Sequence, residues 1–213
     1  MNIVLLGAPA SGKGTQAEML SKKFNLYHLQ TGGIARELAK KDERIKEIVD
    51  SGKLVPENEM SMYVMDLLKD EKPEMKDILF EGFPRFISQY EALERFLKNK
   101  GDDIDAVISL EISKEEVVRR ISSRVICSKC GEVFNLVTNP PKEKGVCDKC
   151  GGELIQRDDD KPESVEERFE YYKNNTEKLM EYLDSHKKLE RVDGNRPIDV
   201  IFEDLSKFIE TLK

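Results

Sequence analysis

The sequence predicts an α/β fold, a mostly parallel sheet flanked by helices, with two inserted lobes. Three observations predict it. Short apolar runs that read as buried strands alternate with amphipathic stretches at helical spacing. The first such run leads directly into a glycine loop that opens a helix. Two segments, 30–55 and 123–160, interrupt the alternation with polar or cysteine-rich sequence.

Taken in order, residues 2–6 (NIVLL) form a buried strand, and Ala17 and Leu20 give 15–24 a helical period. Residues 30–55 are polar and read as short helices. A helix over 57–69 starts behind Pro56. After a polar stretch containing Pro73, residues 78–80 form a second strand ending at Glu81-Gly82. Leu93, Phe96 and Leu97 mark a helix over 89–98, and residues 106–110 form a third strand. Ser113 with Glu116 three residues on is a capping box, followed by the apolar Val117, Val118 and Ile121. Ser164 and Glu167 repeat that box ahead of Phe169 and Tyr172. A weaker fourth strand, 189–192, closes at Asp193-Gly194. Residues 197–212 are amphipathic through Ile201, Leu205, Phe208 and Ile209. This divides the chain into a core (1–29, 56–122 and 161–213), an insert (30–55) and a lid (123–160). Both insertions are expected at the carboxyl edge of the sheet, where ligands bind in such folds.

Composition narrows the function. Of 213 residues 36% are charged, with both signs interspersed, so the surface is solvated and rich in ion pairs. The net charge of −7 argues against general nucleic-acid affinity, which needs surplus Lys and Arg. No apolar run approaches the roughly 18 residues of a membrane span. The start MNIVLLGAP lacks the basic flank of a secretion signal. A cytoplasmic protein is expected, binding neither membrane nor nucleic acid; a monomer is favoured, with an oligomer left open. His28 and His186 fall outside the motifs and read as structural.

The loop itself is Gly7-Ala8-Pro9-Ala10-Ser11-Gly12-Lys13-Gly14-Thr15. Glycines let a chain turn its N–H groups around an anion, and the following helix directs its positive end at the same point. Lys13 adds a compact positive charge for outer phosphates. The fold is therefore expected to be P-loop NTPase-like. Gly14 occupies the place where such loops usually carry the hydroxyl that ligates Mg²⁺. Thr15, one residue later, can still reach a phosphate oxygen. Magnesium would then be held mostly by water and nucleotide oxygens, which suits its reluctance to dehydrate. Glu81, at the end of the second strand, is the candidate outer-shell anchor; a turn or cap carboxylate is the plainer reading.

Cys127, Cys130, Cys147 and Cys150 form two CxxC pairs, each followed by glycine. Thiolates at this spacing converge on a tetrahedral Zn²⁺ and leave no open position, so the zinc would be structural. A redox pair of disulfides and an iron centre are the rival readings. The segment is too polar to build its own core, so metal binding would fold this zinc-ribbon-like lid.

On these residues the chain resembles the adenylate kinases, within the nucleoside monophosphate kinases. Besides GAPASGKGTQ, the resemblance is carried by Thr31-Gly32, Arg36, Gly52-Lys53-Leu54-Val55-Pro56 and Gly82-Phe83-Pro84-Arg85 with Gln89. Arg120, Arg124, Arg157, Arg168 and Val192-Asp193-Gly194 extend it along the whole chain. It implies reversible, Mg²⁺-dependent phosphoryl transfer from ATP to AMP, giving two ADP. Lys13, Arg85, Arg124, Arg157 and Arg168 would be the catalytic cations. Ala10, Ser11, Gly12, Lys13, Gly14, Thr15, Arg120, Arg124, Val133, Phe134 and Arg196 would bind ATP. Thr31, Arg36, Lys53, Leu54, Val55, Gly82, Arg85, Gln89, Arg157 and Arg168 would bind AMP in the 30–55 insert. Asp159 and Asp160 would orient the arginines. Some adenylate kinases also carry zinc in the lid.

This transfer asks for cations rather than acid–base pairs, since the protein's work is positioning and charge stabilisation. Arg120 and Arg124 are four apart, which on a continuous helix places them on one face. For Phe134, packing beneath the cysteines competes equally with nucleotide contact. Two departures stand out. The family usually has Asp where this chain has Gly33, and the loss is expected to loosen the helix start and relax acceptor choice. It often has a further Arg where this chain has Val125. The alternatives are a kinase of another nucleoside monophosphate and, from a different class, a zinc-ribbon nucleic-acid-binding ATPase. Between Cys127 and Cys150 four lysines face three acids with Phe134 the only aromatic, which is thin for gripping nucleic acid.

Overall fold

The structure, a computed structural model of the chain, describes residues 1–157, 160 and 162–212, side chains at 162–164 excepted. Its centre is a parallel sheet of β1 (Asn2–Gly7), β2 (Tyr27–Gln30), β3 (Ile78–Glu81), β4 (Ala106–Glu111) and β8 (Glu190–Asp193). The strand order is β2-β3-β1-β4-β8, and every pairing is parallel. β1 is the most apolar strand and lies in the middle, buried on both faces. Ile3 and Leu5 point to one face, where they pack with Ala17 and Leu20 of α1 (Lys13–Phe24) and Ile201, Leu205 and Ile209 of α9 (Ile198–Glu210). Val4 and Leu6 point to the other. There they meet Val64 and Leu68 of α4 (Glu57–Glu71), Leu93 and Leu97 of α5 (Ile87–Lys98) and Leu179 and Leu183 of α8 (Glu177–Ser185). The period of two along one strand thus builds two cores.

β2 was not expected from the sequence. Its residues, YHLQ, carry a single fully buried side chain, Leu29, as suits an edge strand. The 30–55 segment folds as α2 (Thr31–Ala39) and α3 (Glu43–Asp50), the latter capped by Asp42, whose carboxylate accepts from the N–H groups of Arg44 and Ile45.

α6 (Lys114–Ser122) begins at the expected cap, with Ser113 accepting from the Glu116 N–H. It does not run on through Arg124. The Ser122 and Ser123 hydroxyls donate back to the carbonyl of Arg119, and the chain leaves the helix at Ser123. Arg124 instead opens β5 (Arg124–Cys127), so it shares no helix face with Arg120. β5 lies between β6 (Val133–Asn135) and β7 (Leu154–Ile155) in a small antiparallel sheet.

α7 (Pro162–Tyr171) starts two residues before Ser164, which is therefore inside the helix and not its cap. A π-helical turn, Tyr172–Thr176, joins α7 to α8 and had no signal in the polar run YKNNT. Among the described residues no helix is long and apolar enough to cross a membrane.

Candidate active site

The carboxyl ends of four of the five parallel strands, β1, β2, β3 and β8, open on one cavity of about 910 Å³. β1 delivers the glycine loop, β2 delivers Gln30-Thr31, β3 delivers Glu81-Gly82, and β8 is followed by Gly194. Gly7 must be glycine. Its φ is +139°, and a Cβ there would stand 2.4 Å from the Leu110 carbonyl oxygen of neighbouring β4. The strand therefore ends tightly against β4, and the loop turns at once into α1, whose first N–H groups border the cavity.

The Lys13 ammonium lies across its own loop, donating to the carbonyls of Gly7 (2.8 Å) and Ala8 (2.6 Å) and to Ser11 Oγ (3.3 Å). Burial pulls its pKa down to about 7. Glu81 opposes the shift, while Arg85, Arg168 and Arg124 deepen it. Arg85 is likewise pulled down to about 10, by burial first and then by Arg168. Both shifts are chiefly those of buried cations, deepened by the guanidinium groups beside them.

Lys13, Arg36, Arg85, Arg120, Arg124, Arg157, Arg168 and Arg196 all line this cavity, as do Ala10, Ser11, Gly12, Gly14 and Thr15. So do Thr31, Lys53, Leu54, Val55, Gly82 and Gln89 on the side of α2 and α3, and Val133 and Phe134 on the side of β6. Arg124 and Arg168 share the carboxylate of Asp160, whose side chain is wholly buried: Arg124 Nε lies 2.7 Å from Oδ2, and Arg168 Nη1 lies 2.9 Å from Oδ1. Asp160 therefore orients two arginines as expected; Asp159 lies outside the described residues. Arg85 donates from Nε to the Gly82 carbonyl (2.8 Å), and its own N–H is held by Gln89 Oε1 (2.8 Å). Arg120 is buried and committed to Glu116 (2.6 Å) and the Gly194 carbonyl (2.9 Å). Val133 is exposed, whereas Phe134 packs with Cys127 and Cys147 and so serves the cysteine cluster at least as much as the cavity.

Glu81 fits an anchor for Mg²⁺-bound water. A Cβ on Gly14 would stand 3.7 Å from Glu81 Oε1 and 3.8 Å from Oε2, so the carboxylate lies where the side chain of residue 14 would project. Its Oε2 is held by His28 Nε2 (3.0 Å) and Gln30 Nε2 (2.6 Å). Burial raises its pKa, but those two hydrogen bonds and the His28 and Lys13 charges outweigh it, so the carboxyl stays below the ordinary range. Here the reading of His28 as merely structural is corrected: it borders the cavity and contacts a site carboxylate. Gln30 was missed altogether. Both stand on the strand that was not foreseen, two residues apart and hence on one face. Tyr171, Tyr172 and Thr176, at the π-helical turn, also border the cavity without having been foreseen. α2 begins at Thr31, whose hydroxyl donates to the Gly82 carbonyl (2.8 Å), and its N-cap Gln30 makes no side-chain capping bond.

The four cysteine sulfurs lie within 4.8 Å of one another. Cys127 and Cys150 are 3.4 Å apart and Cys130 and Cys147 3.6 Å, close to the edges of a tetrahedron around zinc with Zn–S bonds of about 2.3 Å. All four are free thiols. The two knuckles match: the Gly131 N–H donates to the Cys127 carbonyl (2.9 Å), and the Gly151 N–H to that of Cys147 (2.8 Å). The donor set fits a structural zinc.

Comparison with known proteins agrees with this architecture. The family model described as adenylate kinase matches residues 5–188. A protein named adenylate kinase from Archaeoglobus fulgidus is 42% identical over 217 residues, covering 100% of both chains. Proteins of the same name from Thermoanaerobacter sp. and Thermosipho africanus are 40% and 43% identical, covering 97% and 98% of this chain and 97% and 99% of their own.

Proposed function

The chain belongs to the adenylate kinase family and is a phosphotransferase, and on that premise we propose that it transfers the terminal phosphoryl group of ATP to AMP, reversibly and with Mg²⁺, giving two ADP. The observation that carries the reading is the convergence of Lys13, Arg85, Arg124 and Arg168 on one cavity at the sheet's carboxyl edge, where burial first, and neighbouring guanidinium charge after it, lowers the Lys13 and Arg85 pKa values.

In this reading the glycine loop takes the ATP phosphates. Their arrival draws Lys13 off the Gly7 and Ala8 carbonyls and restores its charge. Arg120 and the backbone near Arg196 face the donor base. Thr31, Lys53, Leu54, Val55 and Gln89 face the acceptor base, while Arg36 and Arg85 pair with the AMP phosphate, bidentate geometry favouring Arg there. Arg124, Arg157 and Arg168 close on the transferring group. Asp160 holds two of these arginines ready, so little reorganisation remains at the moment of transfer. Residues 30–55 act as the acceptor lobe and 123–160 as a lid that expels water. Mg²⁺ would supply neutralisation of the charge on the phosphates. Glu81 would hold its water, fixed by His28 and Gln30. Zn²⁺ would sit in the four thiolates and keep the lid folded.

A coupled assay of ADP formation from Mg·ATP with AMP, GMP, CMP or UMP tests this directly. AMP is expected to be clearly preferred. Equal rates with all four would overturn the roles given to Thr31 and Gln89.

A further inference from the structure

Gln16 is unusual among the buried polar residues. It lies on α1 one turn beyond Gly12, is 1% exposed, and borders the cavity. Its Nε2 donates to the carbonyl of Ile198, 182 residues away, at 2.8 Å. Among the described residues nothing donates to its Oε1, which is wholly buried. A buried acceptor without a donor is costly and rare. The amide is retained in that state although only its donor end is engaged, and turning it over would set Oε1 against the Ile198 carbonyl. Its one side-chain polar contact is therefore with the first residue of α9, where the loop that precedes that helix ends.

That loop, residues 194–198, is clamped at both ends. At its start Gly194 lies against the phosphate loop: a Cβ there would be 3.0 Å from Ile112 Cγ2 and 3.3 Å from the Ser11 carbonyl oxygen. Its N–H donates to the Glu111 carbonyl (2.8 Å), and its own carbonyl accepts from Arg120 (2.9 Å). At its end Ile198 is held by Gln16. Between the clamps, Asn195, Arg196 and Pro197 border the cavity, and no described hydrogen bond uses the carbonyls of Asn195 or Arg196.

We infer that Gln16 is the positioning residue for donor-base recognition: by tying Ile198 to the helix that carries the phosphate loop, it fixes the backbone of 194–198 at a set distance from the triphosphate. This rests on the donor site proposed above. Losing the bond unties the far end of the loop from α1, leaving it held, among the described residues, only to α9 by the Ile201 N–H to Pro197 carbonyl bond (3.1 Å) and the Arg196–Asp204 pair (2.6 Å), while Gly194 and Arg120 still hold the near end. Binding of the base is therefore weakened, and binding of the phosphates is not.

The test compares Mg²⁺ complexes of ATP, GTP and inorganic tripolyphosphate, which has no base, by equilibrium titration with native protein and Gln16→Met. The variant is expected to weaken ATP on the order of tenfold, the effect of one lost hydrogen bond, and to narrow the ATP-to-GTP preference. Tripolyphosphate should bind both proteins alike. An equal loss for ATP and tripolyphosphate would overturn the inference and make Gln16 a support of the phosphate loop. An unchanged ATP affinity would overturn it too. Native protein that binds ATP no better than tripolyphosphate would remove the donor-base site itself, a separate and recognisable failure. Should Gln16→Met not fold, as read by thermal unfolding, the smaller Gln16→Ala also lacks the donor, brings no charge near the phosphates and carries the same expectation.

Discussion

Lys13 carries the sharpest consequence of burying a cation among others. Its pKa in the folded protein is about 7, against 10.5 ordinarily. Between those values the folded protein holds fewer protons than the unfolded chain, so this group makes stability rise with pH across that window and is a burden below it. Phosphates entering the loop restore the charge. Binding of Mg·ATP should therefore take up nearly one proton at about pH 8.5 and almost none at about pH 5.5, read by calorimetry in buffers of different ionisation enthalpy. Lys13→Met should abolish the uptake; uptake that persists would assign it elsewhere. Arg85→Ala should lower turnover on the order of a thousandfold, as for other lost charge stabilisation. A loss under about tenfold would move Arg85 out of the site. Asp160→Asn should cost on the order of a hundredfold in turnover, because two arginines lose their shared anchor. Nucleotide affinity should change less, and an unaltered rate would leave Asp160 a purely structural carboxylate.

Elements were legible where apolar periodicity was strong and obscure where a few residues decided. β1, β3, β4 and the helices on them could be read because continuous apolar runs must be buried on both faces. β2 could not: four residues with one fully buried side chain carry too little pattern, and with the strand went His28 and Gln30. The end of α6 was misjudged because two serines that look helix-compatible turn their hydroxyls back on its carbonyls. The motif residues fared better, since the glycine loop and the paired CxxC units have spacings with their own chemistry. For the lid, chelation of zinc or Cys150→Ser should unfold residues 123–160, exposing them to protease. ATP affinity should fall more than tenfold while AMP affinity holds within about twofold, as the proposed zinc-coupled folding of the lid requires. Loss of both affinities together would show that the lid supports the whole sheet.

Across the whole molecule, one geometric fact organises the rest. Parallel strands send their carboxyl ends to the same edge, so segments far apart in sequence, at 7–16, 30–36, 82–89 and 194–198, border a single cavity. Arg157 and Arg168 reach it from the returning side of the lid. The central claim is that these scattered cations draw two like-charged nucleotides together away from water. The most direct measurement is a crystal structure with two adenosines joined through a chain of phosphates. The account predicts Lys13, Arg85, Arg124, Arg157 and Arg168 within hydrogen-bonding distance of that chain, one base beside Gln89 and the other beside Arg196. Guanidinium groups turned to solvent, with the phosphates bound elsewhere, would contradict it.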